Sequence, residues 1–596
     1  MGPSRRRPGP AHRRGRTGPP PSSPAPPARP RRSASPDEPA GWYGPLEATA
    51  LPGQQTKWRG VVAGAVAVAV LLGVGGTVGG WLATHQGSAR PASHALASDH
   101  HVPPTTTTTI APTAPGPDGT TAAWVKAENA KPGTTAWKIT GTPPGTIAGY
   151  ANVTSATVGQ RVTLYVTTNA STLHVDAYRM GWYGGDGARL VWTSPTVSGQ
   201  RQPNCPVTSG TNMVACDNWS PTLGFTVSSA FVQGEYLLEL YGSGGQRSYV
   251  PLTVTDPSST ATYLLKADTF TWQAWNPYGG YDLYQGLGSC APSYPPCNRA
   301  RVVSYDRPYG YADGAGDFIG NELPLVEYVE RHGLAVAYTT DVDVEQDPAI
   351  LARHATVLSL GHDECWSLTE REAAQRAVAH GTNMVFFGAS AILRHVRMQS
   401  SPLGPDREEV DYRDAAEDPL DGKGNPLEVT GNWWGDPPTS WPATGFVGEA
   451  YSGFLVPGAT PQPMVVVDPS AWLFDGMHLH DGSTIPGVLV SDFDQVDPDL
   501  HPDDLQVLTH SPIPSADSES QVSPTYADTT YYSDAKSGAG VFDTGTVAWI
   551  PDLAHNSAVA QMTGNLFRVF DRARCGKTFP SVANWQRYAV GQVAGS

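Results

Sequence analysis

Two periods of apolar residues divide the chain. Between about residues 122 and 256 short runs alternate apolar with polar positions, as in Gln160–Thr167, Leu173–Tyr178, Arg189–Trp192, Gly234–Tyr241 and Tyr249–Val254, and Gly, Pro or Asn separates one run from the next. A period of two buries one face of each strand, so this stretch predicts an antiparallel β-sandwich. From residue 257 the apolar runs become continuous, at Tyr263–Leu265, Val302–Tyr305, Ala335–Tyr338, Thr356–Leu360 and Met384–Phe387. Helical segments lie between them, around Leu323, Val326 and Val329 and after Ser367, and each meets a glycine, Gly333 or Gly381, as a helix stop does. Strand alternating with helix predicts βαβ units on a parallel sheet, hence an α/β domain over residues 257–596. Later runs at Met464–Val467, Gly487–Val490, Val507–Leu508 and Gly545–Ile550 are expected to extend that sheet, with residues 398–460 inserted on the same face.

The most polar junction in this pattern follows Thr356–Leu360. A β-prone run enters Gly361, then His362, Asp363, Glu364 and Cys365, and Ser367 with Glu370 three residues later forms a capping box that starts a helix. The titratable groups therefore lie at the carboxyl end of a strand, where open α/β sheets bind ligands. Gly388-Ala-Ser-Ala391 places Ser390 on a strand-to-helix turn beside that loop. This is a weak form of a nucleophile elbow, and helix capping is the plainer role. Cys365 carries a thiol near His362, without the spacing of a known Cys/His motif. Thr271–Tyr284, rich in aromatics and glycine, reads as a flexible loop able to bring phenols over the sheet edge, or else as core and rim. Tyr284 with Glu364 offers hard oxygen donors, which suit Fe(III) better than Zn. In the sandwich, Tyr178–Leu190 reads as a glycine hairpin whose Trp182 and Tyr183 cap the core, or as a contact surface for the next domain or a glycan.

Charge and composition add an organisation that periodicity does not reveal. Residues 1–59 carry 11 Lys and Arg against 3 Asp and Glu, so a head at +8 precedes a body at −24. So acidic a body argues against nucleic acid as a partner. The Arg/Pro-rich head, residues 1–60, is predicted to be disordered and cytoplasmic. Residues 61–82 contain no charge and are long enough for a transmembrane helix. Basic residues crowd its N-terminal side, which predicts a single-pass plasma-membrane anchor with the body extracytoplasmic. A cleaved signal peptide, with His94–Ala97 as its site, is the alternative. Residues 83–121, rich in Ala, Ser, Pro and Thr, read as an extended linker. Six cysteines suit an oxidising compartment, and their spacing predicts local disulfides between Cys205 and Cys216 and between Cys290 and Cys297. The length allows two to four domains and leaves oligomeric state open.

Several ordered motifs together resemble a known family. Tyr178-Arg-Met-Gly-Trp-Tyr-Gly-Gly, Gln273-Ala-Trp-Asn with Gly279-Gly280 and Leu283-Tyr284, Tyr305-Asp-Arg-Pro308, Gly361-His-Asp-Glu and Ser537–Thr546 are similar to the large (beta) subunit family of N,N-dimethylformamidase. The resemblance spans roughly residues 150 to 570. It implies a glutamine amidotransferase-like α/β fold and a hydrolase of small amides or other C–N bonds. It further implies a mononuclear iron held by two tyrosines and a glutamate. Position by position, Glu364 matches the ligand glutamate, His362 the histidine beside it and Tyr284 one ligand tyrosine. Trp275 stands where the other tyrosine falls, Ser390 where the family has an asparagine, and Asp492 where it often has a glutamate. The catalytic set implied is His362, Glu364, Ser390 and Asp492, and the metal set Tyr284 and Glu364. A binding or structural surface protein that keeps the fold without the chemistry is the second reading, because fold alone does not choose.

Overall fold

Seven strands make the central sheet of the computed structural model: β1 (Tyr263–Ala267), β2 (Val336–Thr340), β3 (Thr356–Ser359), β4 (Asn383–Phe386), β5 (Gln506–Pro512), β6 (Tyr526–Ser533) and β7 (Gly540–Asp543). Their order across the sheet is β2-β1-β3-β4-β7-β6-β5. The first five in that order are parallel, and β6 and β5 complete the sheet antiparallel. The structure describes residues 119–589 except 142, 144, 289–295, 457, 516–517 and 521–523, and these belong to one compact unit. The head, the expected spanning segment at residues 61–82, most of the linker and Cys290 lie outside the described residues. Among the described residues no helix is long and apolar enough to cross a membrane.

Both faces of the central strands are covered, which is why their sequences run apolar without alternation. Leu264, Val357, Met384, Phe386 and Val541 enter one hydrophobic cluster, while Leu265, Leu358, Val385 and Phe542 enter another. Three helices bear on the site: α1 (Thr269–Ala274), α2 (Leu323–Arg331) and α3 (Leu368–His380). α2 carries Pro324 in its first turn, where a missing N–H costs nothing. In α3 the Ser367 hydroxyl accepts from the Glu370 N–H, and Gly381 takes φ 103° beyond the last turn. Half of the expected capping box is present, because the Glu370 carboxylate turns to Lys266 instead of back to the cap.

Several expected strands go elsewhere. Val302–Ser304 joins Gly404–Val410, Arg394–Ser401 and Cys365–Ser367 in a separate four-stranded sheet, and Gln462–Val465 pairs with Thr484–Leu489 in a two-stranded one. The run at 545–550 is not a strand. β7 stops at Asp543, and Gly545, at φ 62°, packs so tightly that a Cβ would lie 1.8 Å from the Asp528 carbonyl oxygen. The chain turns there and enters a short helix, Trp549–Asp552. Thr271–Tyr284 is also not a free loop, since α1 is buried along its whole length.

Residues 147–254 build a three-stranded sheet (Ile147–Ala151, Arg161–Thr168, Leu223–Thr226) and a six-stranded one that includes Thr172–Met180, Gly234–Gly242 and Arg247–Val254. Val162, Leu164, Val175, Leu238, Leu240 and Val250 share their core. A disulfide joins Cys205 and Cys216. The Tyr178–Leu190 segment is a hairpin, and it is also a contact with the central sheet's helices. Arg179, fully buried, pairs with Glu330 of α2 at 2.5 Å, and Tyr338 of β2 donates to the same carboxylate at 2.7 Å. Removing one member of a buried ion pair strands the other charge in a medium that solvates it poorly, at about 3–5 kcal/mol. Glu330→Ala is therefore expected to lower unfolding free energy by about that amount, measured by urea denaturation. Equal stability of variant and parent would show that the pair does not fasten the hairpin to α2.

Candidate functional site

The site forms where β3 ends. Gly361 takes φ 54° and its neighbour Gly388 approaches so closely that a Cβ there would lie 1.8 Å from the Gly361 carbonyl oxygen. The loops after β3 and β4 are thereby pressed together, which brings His362–Glu364 against Ser390. Lys266 of β1 fixes the loop from below. Its ammonium, fully buried, contacts Asp341, lies 2.7 Å from Asp363 and 2.9 Å from Glu370, and faces the Trp366 ring at 4.7 Å. Three carboxyls around one cation cannot all be ionised without excess buried charge. Burial pushes Asp363 up to about 6 against the pull of Lys266, and it pushes Glu370 well above the carboxylate range. Ser359 completes the clamp by donating to Asp363 at 2.5 Å.

With Asp363 turned inward, His362 and Glu364 face the other way. Glu364 Oε2 accepts from the Tyr284 hydroxyl at 2.5 Å and from the Trp275 indole N–H at 3.1 Å, and Oε1 accepts from Arg394 at 3.1 Å. The Thr271 hydroxyl of α1 accepts from the Glu364 and Cys365 backbone N–H groups, both at 3.0 Å. Burial works against the Glu364 charge, but Arg394, His362 and the Tyr284 hydrogen bond outweigh it and hold the carboxyl below its usual range. Burial, followed by the Glu364 charge, keeps Tyr284 protonated far above an ordinary phenol. Its ring stacks on Trp275 with centroids 3.5 Å apart.

His362 Nε2 lies 3.6 Å from Glu364 Oε2 and 3.7 Å from Asp492 Oδ2, beyond direct hydrogen bonding, and this buried nitrogen has no hydrogen-bond partner. Burial opposes its protonation, yet Glu364, Asp492 and Asp317 prevail and raise its pKa. Asp492 begins the strand Asp492–Gln495; burial raises it to about 6, with His362 opposing and Glu364 adding. Ser390 donates to Asp492 at 3.1 Å. No helix follows Ser390, so it is not a cap. It holds φ 63°, a costly conformation for serine, and its N–H donates to both Asp494 oxygens at 2.8 and 2.9 Å.

Tyr284, His362, Glu364, Ser390 and Asp492 thus form one connected group. Sequence reasoning did not find Arg394, Asp494, Asp317 or the Lys266 clamp. Arg394 reaches Glu364 because Cys365–Ser367 pairs in parallel with Arg394–Val396, a short-sheet register with no periodic signal. Cys365 is fully buried and its thiol is pushed well above the usual range, first by burial and then by Glu364.

The donor set does not fit the iron that the resemblance implies. Both Glu364 oxygens are engaged by N–H and O–H groups, the third expected oxygen is an indole N–H, and a guanidinium already neutralises the carboxylate. Among the described residues no group of three or more His, Cys, Asp and Glu side chains is arranged to hold a metal ion. What the group can do is move protons, and His362 Nε2, without a hydrogen-bond partner, lies near two carboxylates. A separate cleft lined by Tyr150, Trp272, Gln273, Tyr305, Tyr309 and Arg407 lies on the sandwich side of α1, away from these carboxylates.

A family model described as N,N-dimethylformamidase beta subunit-like, C-terminal, matches residues 174–562, well over half of the chain. No curated protein matches. Among solved structures the chain is similar to a Paenibacillus sp. cycloisomaltooligosaccharide glucanotransferase complexed with cycloisomaltoheptaose, at 15% identity and a TM-score of 0.13. That match covers 22% of this chain and 17% of the other, too little to define a shared fold.

Because nucleophilic attack needs the thiolate and access to it, Cys365 and Cys575, both buried, are expected to resist iodoacetamide in the native protein and to react once it is unfolded. Mass spectrometry of the labelled peptides reads this out. Prompt native labelling of Cys365 would reopen it as a nucleophile.

Proposed function

We propose that this chain, a member of the N,N-dimethylformamidase beta subunit-like family, hydrolyses a small amide by proton transfer at Asp492 and His362. The observation that carries the reading is the buried His362 Nε2 without a partner, 3.6 and 3.7 Å from two carboxylates. A buried polar atom left unsatisfied costs about 1–3 kcal/mol, a cost removed when a small polar molecule enters. In the reaction, water adds to the amide carbon while Asp492 takes its proton as general base. The His362 imidazolium donates a hydrogen bond to the oxygen that gains charge, while the one O–H of Tyr284 stays on Glu364. The C–N bond then breaks as Asp492 passes that proton to the leaving nitrogen, giving a carboxylic acid and an amine and restoring the Asp492 carboxylate. Ser390 orients Asp492, and Glu364, neutralised by Arg394, orients Tyr284. The Cys205–Cys216 disulfide supports an extracytoplasmic body, on which side of a membrane this chemistry would operate.

One observation favours the second reading, a binding protein: every Glu364 oxygen is already satisfied within the chain. The two differ in turnover. Purified full-length protein is expected to release amine from formamide, N-methylformamide or N,N-dimethylformamide, and Asp492→Asn to lose about 100-fold or more of that rate. Calorimetric binding of the same amides without amine release would leave the binding protein in possession of the site. A base must be ionised to act, so with Asp492 raised to about 6 the rate is expected to climb as pH rises through about 6 and to fall below it. A rate that is flat across that range would remove Asp492 as the base.

A further inference from the structure

We infer that Trp275 closes this site to iron, and that a set of fixed hydrogen-bond donors and guanidinium groups stands in the place of the cation. Trp275 follows α1, and its buried indole lies against Tyr284 almost parallel, at 12° between the ring planes. Its N–H points at Glu364 Oε2, the same oxygen that receives the Tyr284 hydroxyl. A cation shared by Tyr284 and Glu364 must sit ~2 Å from each oxygen, on lone pairs turned toward it. Here both Glu364 oxygens already accept from hydrogens, and the Tyr284 hydroxyl points its own hydrogen at one of them. An indole has no oxygen with which to complete a shell, and its N–H repels a cation at the shared position.

The surrounding charge points the same way. Arg394 occupies Glu364 Oε1 and is further held by the Asn432 carbonyl at 2.9 Å and side-chain oxygen at 2.6 Å. Its guanidinium carbon lies 5.8 Å from the Tyr284 ring centroid, and that of Arg413 lies 4.5 Å away. Two positive side chains flank the phenol that a ferric ion would need as a phenolate. The site therefore gathers positive charge from its own arginines, which repels a cation, while the Glu364 carboxylate facing the phenol keeps Tyr284 as a donor. The inference sharpens the proposed reaction by leaving activation to protein groups, but its readout is iron retained, which does not depend on turnover.

The test compares full-length parent, Trp275→Tyr and Trp275→Phe, each incubated with ferrous iron in air, desalted, and measured for iron by mass spectrometry and for the visible phenolate-to-iron charge-transfer band. The parent is expected to stay colourless with background iron. Trp275→Tyr, which restores an oxygen at the third position, is expected to retain about tenfold more iron or better and to show the band. Trp275→Phe removes the indole N–H without adding an oxygen and is expected to match the parent. A full equivalent of iron in the parent, no gain in Trp275→Tyr, or equal gain in Trp275→Phe would each overturn the inference. The parent measurement stands even where a variant fails to fold. Absent amide hydrolysis with this iron pattern intact would sink the proposed function alone.

Discussion

The buried ammonium of Lys266 is the constraint on which the site depends. An isolated charge inside a protein is costly unless it is paired and hydrogen-bonded, and here the partners come from three places: Asp341 after β2, Asp363 after β3 and Glu370 in the first turn of α3. Satisfying one cation therefore fixes the ends of two strands and the start of a helix together. The residue pattern of the loop follows. Successive side chains of an extended segment point to opposite sides, so once Asp363 is drawn to Lys266, His362 and Glu364 are sent toward Ser390, Asp492 and Tyr284. The charge that stabilises the sheet edge also sets which carboxylates are free for chemistry.

The outward half is balanced differently from the inward half. Glu364 stays ionised because Arg394 and His362 outweigh its burial, whereas at Asp492 burial and the Glu364 charge prevail over His362 and the Ser390 and Ser491 hydrogen bonds, and its pKa is raised to about 6. Two carboxyls near one imidazole thus hold protons of unequal strength, the condition under which one serves as structure and the other as base. Trp275 belongs to the structural side of that division. It spends its one donor on the carboxylate that Arg394 already neutralises.

Periodicity and caps made much of the fold legible. The continuous runs at Tyr263, Thr356 and Met384 are central strands, Ser367 caps α3, and Gly381 ends it. That His362, Glu364, Tyr284 and Ser390 come together was legible from chemistry at strand ends, with the resemblance adding Asp492. What was not legible is instructive in physical terms. Lys266 and Arg179 sit inside strands whose neighbours are apolar, and a charge there signals burial only when its partner is known. Those partners lie 75 to 151 residues away. The run at 545–550 has strand composition but includes a glycine pressed against a carbonyl, and backbone contact overrides side-chain preference. Ser390 looked like a cap because glycine-serine turns often precede helices, but the next segment is recruited by Cys365–Ser367 as a strand.

The Arg179–Glu330 pair has a consequence for how the protein is made. The two residues are 151 positions apart. A ribosome adding about 5–20 residues per second makes Arg179 roughly 8 to 30 seconds before Glu330 exists. Throughout that interval the guanidinium lacks the carboxylate it pairs with in the folded chain, and burying it without that partner is unfavourable. The flank of residues 147–254 that faces α2 therefore closes only after α2 is made.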